Sequence, residues 1–173
     1  MRTIRTRTIG CVAAIAAVLN LTPVHAQTTQ ASLSKEAGTL SDKFAGLARV
    51  MAGKYDWKPG DGVRSVADVF NLIVTENRLL AATLTGAGGG GGGRGSQVTD
   101  PEQLQEALKT SYTNVQKAIE NLSDADLKTS VKLFGRDMTK EDAVRFLLAD
   151  QHEHLGQSIA YARTNGVVPP WSK

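Results

Sequence analysis

Helical spacing of apolar residues is the feature that most limits how this chain can fold. Three segments repeat apolar residues at intervals of three and four, which places their side chains on one face of an α-helix. The three apolar sets are Leu40, Phe44, Leu47, Ala48 and Met51; Val66, Val69, Phe70, Ile73 and Leu80; and Leu104, Leu108, Tyr112, Val115 and Ile119. Asn77 shares the inner side of the second segment, and a fourth helix is predicted from Lys140 to about Thr164.

Capping residues and helix breakers set the predicted helix boundaries. The predicted N-caps are Ser65, Asp100 (followed by Pro101) and Thr139 (with Asp142 three residues later). The second helix is predicted to end near Leu84 and the fourth at Asn165–Gly166, a pair typical of helix C-termini. Residues 27–38 are polar and small, so we expect a loose N-terminal arm before a helix that begins near Leu40.

No segment alternates between apolar and polar residues for long enough to predict a sheet. Val131 and Leu133 alternate with polar neighbours, but this stretch is short, and we interpret it as a connection between helices. Four helices without a strand predict an all-α fold, most simply a four-helix bundle.

Six consecutive glycines, Gly88–Gly93, lie between the second and third predicted helices. A phosphate-binding loop would need a preceding strand and a following Gly-Lys-Ser/Thr sequence, and this segment has neither. Low-complexity glycine is typical of a flexible linker, so we predict a long glycine-rich loop here.

The first 26 residues have the order of a secretory signal peptide. Three arginines precede the short apolar run IGCVAAIAAVLNL, and small residues lead up to a predicted cleavage after Ala26. We therefore expect a periplasmic or secreted protein whose domain spans residues 27–173. Cys11, the only cysteine, lies within the signal segment, so the domain would have no disulfide.

Charge after cleavage argues against nucleic-acid binding. The signal segment contains three of the 20 basic residues and none of the 17 acidic ones, so the predicted domain is close to neutral. It has no basic stripe with interleaved aromatic residues. We expect no nucleic-acid partner, and no membrane association once the signal peptide is removed.

Two histidines close together, in the stretch ADQHEHLGQ, raise the question of a metal site. His152 and His154 are two residues apart, which on a helix points their side chains about 200° apart. They cannot share one metal ion from an unbroken helix. Asp150 lies one turn before His154 and is the partner that helix geometry allows. We expect His152 to be solvated or at an interface.

Two longer blocks, KYDWKPGDGVRSVADVF and HEHLGQSIAYARTNGVVPPWS, resemble the DinB-like family of metal-binding four-helix bundles. The resemblance covers roughly residues 35–173. It implies a divalent metal, often zinc or nickel, held by one histidine from the second helix and by two histidines, four residues apart, from the fourth. We also expect a homodimer, and packing roles for Tyr161 and for Trp171, which would fold the tail back on the bundle.

Only one of the three implied histidines is present. His154 matches the last ligand, Asp150 occupies the position four residues earlier, and Leu72 replaces the histidine of the second helix. Glu76 lies one turn beyond Leu72 and could supply a third oxygen ligand. A site of two carboxylates and one histidine would have harder ligand atoms than a three-histidine site, and would be more tolerant of manganese or iron. The alternative is that Glu76 or Asn77 forms a hydrogen bond within the bundle, that Asp150 bonds to His154 and that no metal binds.

Two functions therefore stay open. The first is an exported binding or structural module with a degenerate metal site. The second is an enzyme that depends on zinc, nickel or manganese, a thiol transferase or hydrolase in which Asp150, His154 and Glu76 hold the metal. The sequence does not name the small-molecule ligand.

Overall fold

The computed structural model describes residues 27–87 and 97–172, and within them four long helices form a bundle. The helices are α1 (Thr29–Val50), α2 (Val66–Thr85), α3 (Pro101–Glu120), the short α4 (Asp124–Leu127) and α5 (Lys140–Thr164), and the strands are β1 (Ser130–Leu133) and β2 (Arg136–Thr139). The predicted helical bundle is confirmed. The predicted signal peptide and the glycine run Gly88–Gly93 lie outside the described residues.

Side-chain caps start the helices where the sequence placed them. Ser65 and Asp68 form a complete capping box at the start of α2. The Asp100 side chain accepts a hydrogen bond from the Gln103 amide at 2.8 Å, and Thr139 accepts one from the Asp142 amide at 3.0 Å. These bonds satisfy backbone donors that have no partner inside the helix.

The predicted N-terminal arm is wrong, because α1 begins at Thr29. Leu33 and Ala37 extend the apolar spacing backwards from Leu40 and are buried. Ser34 donates a hydrogen bond of 2.6 Å to a Glu120 carboxylate oxygen on α3. Few large apolar residues mark this part of the helix, and contacts with the neighbouring helix stabilise it.

The prediction that no strand would form is also wrong, as is the helix count of four. Between α3 and α5 lie the short α4 and an antiparallel hairpin of β1 and β2. Its two turn residues, Phe134 and Gly135, have φ of 48° and 77°. Two positive φ angles give the tight hairpin turn whose twist matches that of the strands. Phenylalanine is unusual at such a position, so the sequence carried only a weak signal for it.

The core lies between the four long helices and contains a buried aromatic group. The Phe44 ring lies 6.3 Å from those of both Phe70 and Tyr112, which ties α1 to α2 and α3. The C-terminal tail packs Pro170 and Trp171 over Gly46 of α1, as expected for Trp171. Within the described segments, no helix has the length and apolar character needed to cross a membrane.

Candidate metal centre

The site forms between one residue of α2 and two residues of α5. Glu76, Asp150 and His154 each present a ligand atom, and these atoms all lie within 4.8 Å of one another. The three residues that the sequence suggested are therefore brought together. Asp150 and His154 share a face because they are four residues apart on one helix. Glu76 comes from the helix that packs against that face.

Glu76 is the most buried of the three residues. The residue is only 7% exposed, and its Oε2 atom has no hydrogen-bond partner among the described residues. Burial, followed by the nearby Asp150 carboxylate, raises the pKa of Glu76 from 4.5 to about 7. A buried carboxylate oxygen without a partner is costly in a folded protein, unless a proton or a cation compensates for it.

His154 and Asp150 lie at the edge of the same site. The His154 Nε2 atom is 3.6 Å from the Asp150 Oδ2 atom, too long for a good hydrogen bond. Only 17% of the His154 side chain is exposed, against 37% for Asp150. The site is therefore buried at Glu76 and open to solvent at Asp150.

His152 points away from this site, as its spacing from His154 predicted. Its Nε2 atom lies 3.0 Å from an oxygen of Glu36 on α1, and both side chains are exposed. His152 thus contributes to a surface contact between α5 and α1 and not to the candidate metal centre.

Leu72 lies one turn before Glu76 on α2 and is half-buried. It lines a cleft of about 540 Å³ together with Arg64, Asn71 and Thr75, among others. Arg64 is close enough for its charge to oppose the rise in the Glu76 pKa. The cleft therefore adjoins the turn of α2 that carries Glu76.

A buried polar network lies directly beside the three candidate ligands. Gln151 donates to Asn77 at 2.8 Å, Asn77 donates to Ser111 at 3.1 Å, and Tyr112 donates to Gln151 at 2.9 Å. Ser111 in turn donates to the Leu108 carbonyl at 2.8 Å. The network links α2, α3 and α5, and so fixes the separation of the helices that carry Glu76 and Asp150.

Sequence reasoning missed the residues that surround His154. Its Nδ1 atom lies 3.1 Å from the Gln157 Oε1 atom, Gln157 Nε2 donates to the Tyr161 hydroxyl at 2.9 Å, and that hydroxyl donates to the Arg64 carbonyl at 3.2 Å. The spacing of 154, 157 and 161 along α5 was the only signal available. Tyr161 does pack, against Trp57, but its hydroxyl also takes part in this chain.

The donor set fits a divalent cation. Two carboxylates and one imidazole supply oxygen and nitrogen ligands, a combination that suits manganese, iron or zinc. Glu76, whose Oε2 atom is buried without a described partner, supplies one of the three converging ligand atoms, and a cation would compensate its carboxylate.

Comparison with known proteins places the fold. Two crystal structures of DinB-like proteins resemble this chain, one from Bacillus cereus ATCC 10987 and one from Bacillus subtilis. The first is 18% identical with a TM-score of 0.70, covering 82% of this chain and 95% of its own. The second is 19% identical with a TM-score of 0.63, covering 78% and 92%.

Family membership comes from the sequence itself. No curated protein matches the chain. The model of the DinB superfamily matches residues 41–158, which is more than half of the sequence and includes all three candidate ligands. This chain belongs to the DinB superfamily.

Proposed function

We propose that this protein is an exported metal-binding module in which Glu76, Asp150 and His154 hold a divalent cation. The observation that carries the proposal is the convergence of three ligand atoms within 4.8 Å, one of them from a glutamate whose Oε2 atom is buried without a described partner. Of the three histidines that the family resemblance implies, the set keeps His154 and has Asp150 in place of a second. Glu76 lies one turn beyond Leu72, which occupies the position of the third.

Ligand chemistry sets the metal preference. Carboxylate oxygens favour harder cations than imidazole does, so the site should accept manganese or iron better than a three-histidine site would, while still binding zinc. Three protein ligands leave coordination positions for water or for a small molecule. When bound, the metal would supply Lewis acidity to whatever occupies those positions.

Calorimetric titration of metal-free, untagged protein with zinc and with manganese tests this proposal. We expect one metal per chain, with binding strongly weakened by Glu76→Gln and by His154→Ala. The matched controls are Glu153→Gln and His152→Ala, which remove the same chemical groups from exposed positions on α5. Absence of stoichiometric binding by the wild type, or equal losses in the controls, would contradict the proposal.

The cleft next to Glu76 favours a second candidate function, a metal-dependent thiol transferase or hydrolase. A cleft of about 540 Å³ is large enough for a small molecule, and Leu72, which lines it, lies one turn before Glu76 on the same face of α2. Turnover of thiol or ester substrates by the metal-loaded protein, lost in Glu76→Gln, would support an enzyme. Metal binding without turnover would leave a binding module.

Export and dimerisation belong to the same proposal. The order of charged, apolar and small residues at the start of the chain supports export, and mass spectrometry of periplasmic protein should find Gln27 at the N-terminus. Intact Met1 in a cytosolic fraction would exclude it. The homodimer rests on the family resemblance, and sedimentation equilibrium would test it.

A further inference from the structure

We infer that Gln157 is a positioning residue that fixes the tautomer of His154, and that Tyr161 and the Arg64 carbonyl set the orientation of Gln157. This inference deepens the proposed function, because it rests on His154 being a metal ligand. It concerns a chain of three hydrogen bonds that runs from the loop before α2 to the site.

The Arg64 carbonyl determines which atom donates and which accepts in each of the three hydrogen bonds. A backbone carbonyl can only accept a hydrogen bond, so the Tyr161 hydroxyl, 3.2 Å from the Arg64 carbonyl, donates its single proton there. Tyr161 is 7% exposed, and its ring packs edge-on against Trp57 with 5.1 Å between centroids. The hydroxyl therefore has a fixed position and a fixed donor direction.

The donor direction at Tyr161 determines the orientation of the Gln157 amide. Because the Tyr161 hydroxyl has given its proton to Arg64, it can only accept from Gln157, and the atom at 2.9 Å must be the amide nitrogen. The Gln157 oxygen accordingly faces the His154 ring, where it lies 3.1 Å from Nδ1. An amide oxygen only accepts, so His154 Nδ1 carries a proton.

The consequence lies at the other ring nitrogen. A neutral imidazole with its proton on Nδ1 has a lone pair on Nε2, and Nε2 is the atom that faces the Asp150 carboxylate at 3.6 Å. A lone pair directed at a carboxylate makes no hydrogen bond, but it is the arrangement of two ligands that share a cation. Metal-binding histidines commonly donate their other N–H group to a fixed acceptor in this way.

Without these three hydrogen bonds, His154 could adopt its other tautomer. His154 could carry its proton on Nε2 and donate it to Asp150, an ordinary pair that would block the metal-binding nitrogen. The Gln157 amide excludes this tautomer only when its oxygen faces the ring. Tyr161 is what keeps it from turning over.

Tyr161→Phe and Gln157→Leu test the inference, with Tyr112→Phe as the matched control. Tyr112→Phe also deletes a buried hydroxyl that donates to a glutamine, but that glutamine, Gln151, belongs to the other network. The first readout is the tautomer of His154 in metal-free full-length protein at about pH 8, above the usual imidazole pKa. Long-range proton–nitrogen correlation spectra report it, and His25→Ala and His152→Ala together assign the His154 signals.

We expect the wild type and Tyr112→Phe to hold the proton on Nδ1, and the two test variants to populate the Nε2–H form. Zinc affinity should fall on the order of tenfold or more in Gln157→Leu, less in Tyr161→Phe, and recover in Gln157→Glu, whose carboxylate still accepts from Nδ1. Thermal melting checks that each variant is folded.

Three outcomes separate this inference from the proposed function. A wild-type His154 with its proton on Nε2 would overturn the inference, and so would unchanged zinc affinity and tautomer in folded Gln157→Leu. A wild type that holds the proton on Nδ1, and loses it in both variants, while binding no metal would support the positioning role and contradict the metal site.

Discussion

Two pairs of polar side chains lie one residue apart on α2 and α5, and they differ in whether their buried polar atoms have hydrogen-bond partners. Asn77 and Gln151 bond to each other, to Ser111 and to Tyr112 within the core. Glu76 and Asp150, the residues just before them, face the site, where the Glu76 Oε2 atom has no described partner. A satisfied buried network stabilises a fold, whereas an unsatisfied one stores a cost that only a ligand or a proton relieves. This unsatisfied atom is what distinguishes the second pair as the candidate metal site.

The largest effect should come from breaking the satisfied network. Asn77→Leu leaves Gln151 and Ser111 without their partner inside the core, and each such loss costs roughly 1 to 3 kcal/mol. We expect the free energy of unfolding, measured by denaturant titration, to fall by about 4 kcal/mol in total. A loss below about 1 kcal/mol would show that the network does not stabilise the helix packing.

The unsatisfied group should respond to pH instead. The pKa of Glu76 is raised from 4.5 to about 7 on folding, so the folded state binds this proton more tightly than the unfolded chain does. The stabilisation of the folded state by this proton is fully present below pH 4.5 and is lost as pH rises through about 7. We expect the metal-free protein to lose about 3 kcal/mol of stability across that window.

Glu76→Gln isolates that pH effect from other titrating groups. The variant should lack the decrease, whereas Glu153→Gln, an exposed change on α5, should retain it. Denaturant titrations at several pH values measure the difference. A decrease of the same size in Glu76→Gln would assign it to other groups.

Adding a metal-binding side chain at position 72 should strengthen metal binding at the candidate site. Leu72→His places an imidazole one turn before Glu76, where the family resemblance expects a histidine. We expect zinc binding to tighten by about tenfold, or about 1.4 kcal/mol, and to tighten further with Asp150→His. Calorimetric titration measures both variants. No gain in the double variant would mean that position 72 does not face α5.

The smallest effect should come from a position remote from both groups. Phe134 has a φ of 48° in the hairpin turn, a conformation that asparagine tolerates better. Relief of the positive φ is opposed by loss of the edge-on contact between the Phe134 and Phe146 rings. We therefore expect Phe134→Asn to change the free energy of unfolding by less than about 1 kcal/mol and to leave metal affinity unchanged. A changed metal affinity would connect the hairpin to the site.

Local signals in the sequence predicted the elements that local physics decides. Caps and apolar spacing located α2, α3 and α5 closely, and the spacing of Asp150 and His154 put both on one face. The start of α1 was missed because Ser34 and Gln30 are stabilised by contacts with α3 and the segment after it. The hairpin was missed because Phe134–Gly135 lacks the usual asparagine-glycine signal.

The site itself needed information that no single helix carries. Glu76 was suggested only because the family resemblance gave the register between α2 and α5. Tyr161 donates a hydrogen bond to the Arg64 carbonyl and accepts one from Gln157. Arg64 is distant from both residues in the sequence and contacts Tyr161 only in the folded protein. Hydrogen-bond direction along such a chain is a property of tertiary structure, and residue spacing does not encode it.

An anomalous diffraction measurement at the zinc edge, on crystals of the wild type grown with zinc, tests the central claim most directly. The account predicts one strong peak bonded to Glu76 Oε2, His154 Nε2 and an Asp150 oxygen, at roughly 2.0 to 2.2 Å from each. Zinc held only elsewhere, or an ordered site without zinc in which Asp150 accepts a hydrogen bond from His154 Nε2, would contradict it.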